Sequence, residues 1–301
     1  MIDVSIFTAT FNRAGYLPRL FESLLTQTIL PKEWVIVDDG STDNTSQVVE
    51  SFRKTSLFPI IFSSQENAGK HIAINKGAEL SSGTLFFMVD SDDYLDTDAI
   101  NLLVRHWEDV QSLPEVQRDK IIGVAGNNIY PNREVVGGNP SYTVIDTDLL
   151  TFRYKLKIKG DKAEAYALQY VKNNPFPRIE GETFCPEALV FYRLANEGYQ
   201  LRFINESIYV CEYLEGGLSQ SGLNTIRRGP HATLLHMASI VNYDNVPLFI
   251  RIKHAILFWR FSFLAKKVSF GGKCKMIRNK IFLAFYPVGI VFYLRDKLTK
   301  K

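Results

Sequence analysis

Residues 85–93 read Leu85-Phe86-Phe87-Met88-Val89-Asp90-Ser91-Asp92-Asp93, an apolar run that ends in three carboxylates. The run is too short for a helix, and the turn residues Ser81-Ser82-Gly83 precede it. These features predict a strand that is buried on both faces of a sheet. Clustered carboxylates repel one another, and hard oxygen ligands at this density suit Mg²⁺ or Mn²⁺. The alternative is a solvated acidic turn that caps the next helix through Asp96 or Thr97.

Two earlier apolar segments, residues 4–7 and 34–37, also end in polar residues. Amphipathic segments separate the apolar ones, so strands and helices alternate with short connections. This alternation predicts an α/β fold with a mainly parallel sheet, flanked by helices. Ligands bind outside the carboxyl ends of strands in such sheets. We therefore expect three polar segments to meet at one edge of the sheet: residues 10–13, 38–41 and 90–93.

The usual glycine-rich phosphate-binding motifs are missing from the sequence. It contains neither Gly-x-x-x-x-Gly-Lys-Ser/Thr nor Gly-x-Gly-x-x-Gly. A P-loop and a dinucleotide fingerprint are therefore not expected. Any phosphate bound at the predicted edge would be held by a metal ion and side chains.

Four segments in order resemble the signatures of family 2 glycosyltransferases with the GT-A fold. They are residues 4–13 (VSIFTATFNR), 37–43 (VDDGSTD), 67–77, which contain Asn67-Ala68-Gly69 and Asn75-Lys76-Gly77, and 90–93 (DSDD). The resemblance implies a nucleotide-sugar donor, a divalent cation (Mn²⁺ or Mg²⁺) and inversion at the anomeric carbon. It also implies a Rossmann-like sheet. UDP is expected as the nucleotide because it is frequent in the family.

The resemblance also assigns roles to residues of this chain. Asp39 would bind the base and Phe11 would lie against it, although many family members have tyrosine at the Phe11 position and proline at the Ala9 position. Lys70 would reach the base or the diphosphate. Asp92 would bind the ribose and the metal, with Asp93 or Asp90 as a further metal ligand. The polar strand end adds Thr10 and Arg13 to the predicted donor site.

The general base is predicted near the start of a helix that follows residue 187. Family members usually have a Glu-Asp pair six residues before an Arg-Leu pair, and Glu187 lies six residues before Arg193-Leu194. Glu187 therefore takes the aspartate's place, whereas Pro186 replaces the preceding glutamate. The alternative is that Glu187 only complements the helix N-terminus, with Glu182 or Glu180 as the base.

The C-terminal region has a strong positive charge. Residues 247–301 contain thirteen lysines and arginines but one acid, Asp296, so their net charge is +12. The net charge of the whole chain is only +3. Their aromatic residues alternate with cations, and neither apolar stretch reaches the roughly 20 residues of a spanning helix. We expect this region to lie on an anionic membrane surface. The alternatives are a helical pair packed on the catalytic body, or nucleic-acid binding, which no recognised module supports.

Localisation is predicted to be cytoplasmic, with peripheral attachment to the inner face of the cytoplasmic membrane as an option. The three cysteines are scattered, which argues against a disulfide framework. The chain enters its first predicted strand without a signal-peptide pattern. Residues 212–219 contain two glycines beside polar residues, which predicts a lid.

The predicted domains are a catalytic domain at 1–225 and a basic helical region at 226–301. The catalytic domain would consist of a nucleotide-sugar half at 1–128 and an acceptor and base half at 129–225. The predicted reaction moves a sugar from a nucleotide sugar to a hydroxyl of a glycan or lipid-linked acceptor in surface polysaccharide synthesis. A nucleotidyltransferase that uses the same site, or a non-catalytic nucleotide-sugar-binding module, is the alternative.

Overall fold

A computed structural model describes residues 2–212 and 222–298 of the chain. Residues 213–219 of the predicted lid lie outside this described part. The described residues divide into two compact units. The first comprises 2–148, 158–176 and 198–212, and the second comprises 149–157, 177–197 and 222–298. The predicted functional halves of the catalytic domain stay predictions.

The first unit contains a sheet in which nine strands are described. In chain order they are β1 Val4–Thr10, β2 Glu33–Asp38, β3 Ile60–Ser64, β4 Leu85–Met88, β5 Tyr94–Leu95, β6 Ile121–Ile129, β7 Val144–Thr147, β8 Lys162–Ala167 and β9 Gln200–Val210. Their order in the sheet is β3-β2-β1-β4-β8-β6-β9-β5, and β7 also pairs with β9. The first four strands of this order are mutually parallel, whereas β8 runs antiparallel to β4 and β6. The predicted α/β architecture is confirmed.

Helices flank this sheet within the same unit: α1 Leu17–Leu25, α2 Thr45–Arg53, α3 Lys70–Leu80, α4 Ala99–Gln111, α5 Glu115–Arg118 and α6 Leu168–Asn173. Helix α1 buries its apolar stripe at Leu17, Leu20 and Leu24, which follows the helical period. Helix α3 lies very close to β1 because Gly77 has no side chain. A Cβ at that position would be only 2.1 Å from the ring of Phe7.

One predicted helix is a strand for half of its length. The sequence from Gly160 predicts a helix that continues through Val171, but residues 162–167 form β8 and only Leu168–Asn173 is helical. The prediction was wrong because β8 fills the gap between β4 and β6 in the middle of the sheet. The ladder hydrogen bonds to two neighbours outweigh the high intrinsic helix propensity of these residues, three of which are alanine.

The second unit consists of helices in the described residues. They are α7 Ala188–Asn196, α8 Gly222–Arg228, α9 Pro230–Asn242, α10 Leu248–Ser262, α11 Phe270–Met276 and α12 Tyr286–Leu298, with a π-helical turn at Thr151–Lys155 and a 3₁₀ turn at Lys280–Phe285. Their core contains Leu234 of α9 with Phe258 and Trp259 of α10. Arg260 of α10 makes a bidentate pair with Asp296 of α12 at 2.7 and 2.8 Å. None of the helices in the described residues has the length and apolarity needed to cross a membrane.

Candidate donor site at the carboxyl ends of the parallel strands

The three polar segments lie side by side, because β1 lies between β2 and β4 in the sheet. Thr10 is opposite Asp38 in the parallel register. The backbone N–H of Asp39 donates to the Thr10 carbonyl at 2.8 Å, and that of Val89 donates to the Phe7 carbonyl at 2.8 Å. The ends of β1, β2 and β4 therefore form one edge, from which residues 10–13, 38–41 and 90–93 extend.

The loops that follow β1 and β2 bond to each other. Asn12 adopts a left-handed backbone conformation, with φ of 53°. Its N–H donates to Ser41 Oγ at 2.8 Å, and its Oδ1 accepts from the Thr42 N–H at 2.7 Å. The neighbouring Phe11 is left 45% exposed beside the edge. Thr10 is buried, and its Oγ1 has no hydrogen-bond partner within the described residues.

Asp39 is 4% exposed, and three groups donate to its carboxylate. Gln65 Nε2 donates to Oδ1 at 2.8 Å, the Ala68 N–H donates to Oδ1 at 2.9 Å, and the Gly69 N–H donates to Oδ2 at 2.8 Å. Gly69 has φ of 95°, which favours glycine at the entrance to α3. Asp39 therefore fixes the loop that leads to Lys70. Its role in binding the base stays a prediction.

Two cationic side chains accompany the acidic turn. Lys70 Nζ lies 2.6 Å from Asp90 Oδ1, and Arg13 Nη1 lies 3.8 Å from Asp92 Oδ2. The side chains of Asp90 and Asp92 are 47% and 25% exposed. These four groups of alternating charge therefore reach solvent at the same edge of the sheet.

Asp93 has a different environment from its two neighbours. It is buried, Tyr209 donates to its Oδ2 at 2.8 Å, and the Glu212 N–H donates to its Oδ1 at 3.2 Å. Burial, with the nearby charges of Asp90 and Asp92, raises the pKa of Asp93 to about 7. Asp93 therefore differs from Asp90 and Asp92 in its burial and in its hydrogen-bond partners.

The acidic turn suits a divalent cation through two of its three carboxylates. No group of three or more acid, histidine or cysteine side chains in the described residues is arranged to hold a metal. Mg²⁺, however, commonly takes one or two protein carboxylates together with substrate phosphates and water. Asp90 and Asp92 provide such a set, because both carboxylates are partly exposed and they lie two residues apart in the same turn. Both oxygens of Asp93 already accept hydrogen bonds from the protein.

The candidate bases lie in the second unit. Glu187 immediately precedes α7, is half-buried, and makes no capping hydrogen bond to that helix. Glu182 instead accepts from the N–H groups of His231 and Ala232 at 2.8 and 3.0 Å, so it caps the start of α9. Burial, with the charges of Glu182 and Glu187, raises the pKa of the nearby Cys185 thiol to about 12. The cap occupies both Glu182 oxygens, and the choice of the base among Glu187, Glu182 and Glu180 stays a prediction.

Three residues surround the acidic turn without having been predicted to do so: Arg19, Tyr209 and Glu212, of which Glu212 was predicted only as the start of a lid. Arg19 donates to the Asp92 carbonyl, and the other two bind Asp93. Tyr209 and Glu212 lie on and just after β9, far along the chain from the turn. The long-range pairing of β5 with β9 brings them there, so no local motif signals their position.

Comparisons with known proteins agree with this architecture. The family model "Glycosyl transferase family 2" matches residues 5–166, which is more than half of the chain. Glycosyltransferase GlyA of Streptococcus pneumoniae serotype 4 is 32% identical over 234 residues, which is 72% of this chain but 31% of GlyA. The chain therefore spans less than a third of that relative's length.

Two groups of solved structures have a similar fold. The S. aureus TarS 1–349 structure in complex with UDP has a TM-score of 0.65 at 17% identity, covering 97% of this chain and 89% of that one. The mannosyltransferase PcManGT of Pyrobaculum calidifontis, in complex with GDP-Man and Mn²⁺, has a TM-score of 0.57 at 16% identity, covering 98% and 87%. At these identities the likeness concerns the fold. Because the family model matches residues 5–166, which include the acidic strand end, and the solved structures share the fold, the chain belongs to glycosyltransferase family 2 and has the GT-A fold.

Proposed function

We propose that the protein is an inverting glycosyltransferase that transfers a sugar from a nucleoside diphosphate sugar to an acceptor hydroxyl. The observation that carries the proposal is the group of side chains at one sheet edge. Phe11 is exposed there, Lys70 pairs with Asp90, and Arg13 faces Asp92. An aromatic face, two cations and two carboxylates are what a base, a diphosphate and a divalent cation require.

The donor would bind across the ends of β1, β2 and β4. Phe11 offers a ring on which a nucleobase can stack, and such stacking is worth about 1–3 kcal/mol per base in other nucleotide complexes. Asp39 would bind the base, and Thr10 belongs to the same predicted site. Lys70 and Arg13 would bring positive charge to the diphosphate, which favours charge-assisted hydrogen bonds.

A divalent cation, Mn²⁺ or Mg²⁺, would be held by Asp90 and Asp92. When bound, it would neutralise the charge that develops on the departing nucleoside diphosphate. Asp93 is also predicted as a ligand. Its carboxylate accepts hydrogen bonds from Tyr209 and from the Glu212 N–H, and these bonds would hold the acidic turn in place. Lys70 and Arg13 neutralise part of the same carboxylate charge in the described arrangement.

Glu187 would be the general base that takes the proton from the acceptor hydroxyl. Inversion requires attack on the face of the sugar opposite the leaving diphosphate, with a carboxylate to accept the proton. The capping bonds of Glu182 to α9 support the choice of Glu187.

UDP is the proposed nucleotide and Mn²⁺ the proposed cation for the first tests. The similar TarS structure is described in complex with UDP, and PcManGT in complex with GDP-Man and Mn²⁺. A thermal-shift screen of UDP, GDP and their sugars, each with and without MnCl₂, tests the proposal. A ligand at a hundred times its dissociation constant should stabilise the fold by about 2.7 kcal/mol. No stabilisation by any nucleotide, with or without Mn²⁺, would contradict it.

The products separate the proposed reaction from its alternatives. Sugar transfer releases a nucleoside diphosphate, whereas a nucleotidyltransferase at the same site would release pyrophosphate. Saturable, metal-dependent binding without turnover on any acceptor would instead favour a non-catalytic binding module.

We propose that the acceptor is a glycan or a lipid-linked saccharide in surface polysaccharide synthesis, and that the second unit attaches to an anionic membrane. Leu248 and Phe249 of α10, and Val291 and Leu298 of α12, are exposed apolar side chains in that unit. A groove of about 340 Å³ is lined mainly by apolar residues of α10, with Lys253 and Arg260 among them. Exposed apolar side chains among many cations are typical of helices that lie in the headgroup region.

A further inference from the structure

One phenol on β9 connects both ends of the acidic turn. Tyr209 is 5% exposed, and its hydroxyl accepts from the Asp90 N–H at 3.0 Å. The same hydroxyl donates to Asp93 Oδ2 at 2.8 Å. The hydroxyl therefore donates one hydrogen bond to this turn and accepts one from it. The Tyr209 ring packs edge-on against Phe87 of β4, with 6.4 Å between the ring centroids.

Asp93 continues this connection toward the end of β9. Its Oδ1 accepts from the Glu212 N–H at 3.2 Å, and its own N–H donates to the Asp90 carbonyl at 3.1 Å. Both of its oxygens thus face protein donors inside the unit. A buried carboxylate that is held in this way orients the turn and is poorly placed to bind a solvent-borne cation.

Arg19 of α1 holds the turn through its backbone. Its Nη2 donates to the Asp92 carbonyl at 2.6 Å, and its Nη1 lies 2.9 Å from Glu212 Oε1. The guanidinium also lies over the Tyr94 ring, 4.6 Å from its centroid. The turn is therefore fixed by a helix and by a strand, while the carboxylates of Asp90 and Asp92 reach solvent.

We propose that Tyr209, acting through Asp93 and together with Arg19, is the positioning residue that aims Asp90 and Asp92 at the cation and the diphosphate. Asp93 then belongs to the support of the site and is not a cation ligand. This inference rests on the proposed function, because it assigns the support of the same donor site.

The physical reason is the precision that a ligand set requires. Functional side chains must be held within about 0.5 Å of their working geometry by residues that are themselves locked. Removing the Tyr209 hydroxyl leaves the Asp90 N–H and Asp93 Oδ2 without that partner. Loss of a partner that orients metal ligands typically lowers metal affinity about 10- to 100-fold.

The test compares Tyr209→Phe with Tyr166→Phe in the 301-residue chain. Tyr166 is also a buried tyrosine of the sheet whose hydroxyl donates to a carboxylate, that of Glu164, but Glu164 is not in the acidic turn. Titration calorimetry with MnCl₂ in the presence of UDP measures affinity. Tyr209→Phe should weaken binding about 10- to 100-fold, whereas Tyr166→Phe should bind like the unmodified protein.

A second readout needs no ligand. Hydrogen exchange of the Asp90 amide should be about 2- to 10-fold faster in Tyr209→Phe, since one hydrogen bond is lost, and unchanged in Tyr166→Phe. If Tyr209→Phe does not fold, Arg19→Met replaces it, because Arg19 is partly exposed and makes an independent contact with the turn. Arg19→Met should weaken Mn²⁺–UDP binding roughly 10-fold.

The outcomes separate this inference from the proposed function. Equal affinity and equal Asp90 exchange in Tyr209→Phe and the unmodified protein would overturn the positioning role, while nucleotide binding itself still stood. If both tyrosine variants lost affinity to the same extent, the effect would be a general one on the sheet, and the inference would also fail. If the unmodified protein bound neither UDP nor Mn²⁺, the proposed function and this inference would both fall.

Discussion

Asp90, Asp92 and Asp93 are near neighbours in the chain, yet each has a different environment. Asp90 pairs with Lys70, Asp92 faces Arg13, and Asp93 is buried against Tyr209. Burial, with the charges of the other two, raises the pKa of Asp93 to about 7. Three identical side chains therefore differ in exposure and in contact partners, because the turn points each of them in a different direction.

Phe11 gives a residue-scale prediction about nucleotide binding. Phe11→Ala should weaken UDP binding about 5- to 150-fold, because base–aromatic stacking contributes about 1–3 kcal/mol. Phe11→Tyr should keep the affinity, since the ring is retained. Calorimetry with UDP and MnCl₂ measures both variants. Phe11 is already 45% exposed, so neither change should alter the unfolding temperature appreciably. Unchanged affinity in Phe11→Ala would remove the ring from the donor site.

Glu187 gives a second prediction at this scale. Glu187→Gln should lower kcat about 10²- to 10⁴-fold, because the amide cannot accept the acceptor's proton. UDP affinity should not change. Initial-rate assays of nucleoside diphosphate release measure kcat, and calorimetry measures binding.

The matched control for this prediction is Glu182→Gln. Glu182 caps α9 through the His231 and Ala232 N–H groups, so its loss should cost stability of about 1 kcal/mol and retain most of kcat. A Glu187→Gln enzyme with a near-normal rate, or a Glu182→Gln enzyme with the larger rate loss, would exclude Glu187 as the base.

At the scale of elements, β9 and α1 organise the candidate site although neither carries a predicted ligand. Strand β9 pairs with β5, β6 and β7, and its Tyr209 contacts the turn that follows β4. Helix α1 reaches the same turn through Arg19. The geometry of the acidic turn therefore depends on elements that lie about 70 and 120 residues away in sequence.

The packing of helices in the second unit predicts a pH dependence. Burial, with a smaller contribution from the nearby His254 on α10, lowers the pKa of His236 on α9 to about 4. Burial also lowers the pKa of His254 itself. The Nδ1 of His236 is buried and has no hydrogen-bond partner in the described part of the chain. The unfolded chain would protonate His236 near its ordinary value of 6.5, so acid favours unfolding.

The contribution of neutral His236 to the free energy of unfolding should accordingly be fully present above pH 6.5. It should be lost as the pH drops through 6.5 toward 4. The loss should reach about 3 kcal/mol for His236. Urea unfolding followed by tryptophan fluorescence, which includes the buried Trp259, measures it. His236→Leu should flatten this dependence, and His231→Gln on the same helix should leave it intact. An equally steep acid dependence in His236→Leu would refute the assignment.

At the scale of the whole molecule, charge is distributed very unevenly. The net charge of residues 247–301 is +12, whereas that of the whole chain is +3. The residues before 247 therefore have a net charge of −9. The same C-terminal residues include exposed apolar side chains such as Phe249 and Val291. A charge field and an apolar surface in one region are the two contributions that interfacial membrane binding combines.

This distribution predicts binding to anionic vesicles. The protein should sediment with phosphatidylcholine vesicles that contain about 30% phosphatidylglycerol, an anionic content chosen to give a clear surface potential. It should not sediment with pure phosphatidylcholine, and binding should decline as NaCl rises toward 0.5 M, roughly, because salt screens the attraction.

Phe249→Glu should reduce vesicle binding about 10-fold or more, since burying a phenylalanine is worth about 1.5–3 kcal/mol. Leu57→Glu is the matched control: Leu57 is also exposed but lies in the first unit, so this change should have no effect. Failure to sediment with anionic vesicles at low salt would exclude the membrane proposal. Equal losses of vesicle binding in both variants would exclude Phe249 as part of the membrane-binding surface.

The amino-acid sequence by itself determined the alternation of strands and helices, the polar ends of β1, β2 and β4, and the family. These are local features, since a short apolar run and the turn that follows it lie within about ten residues, a typical strand-and-turn length. Only the tertiary structure decided that residues 162–167 form a strand, that Asp93 faces Tyr209, and that Glu182 caps α9. Each of these depends on partners distant in the chain, and the free energy of such contacts is absent from any local pattern.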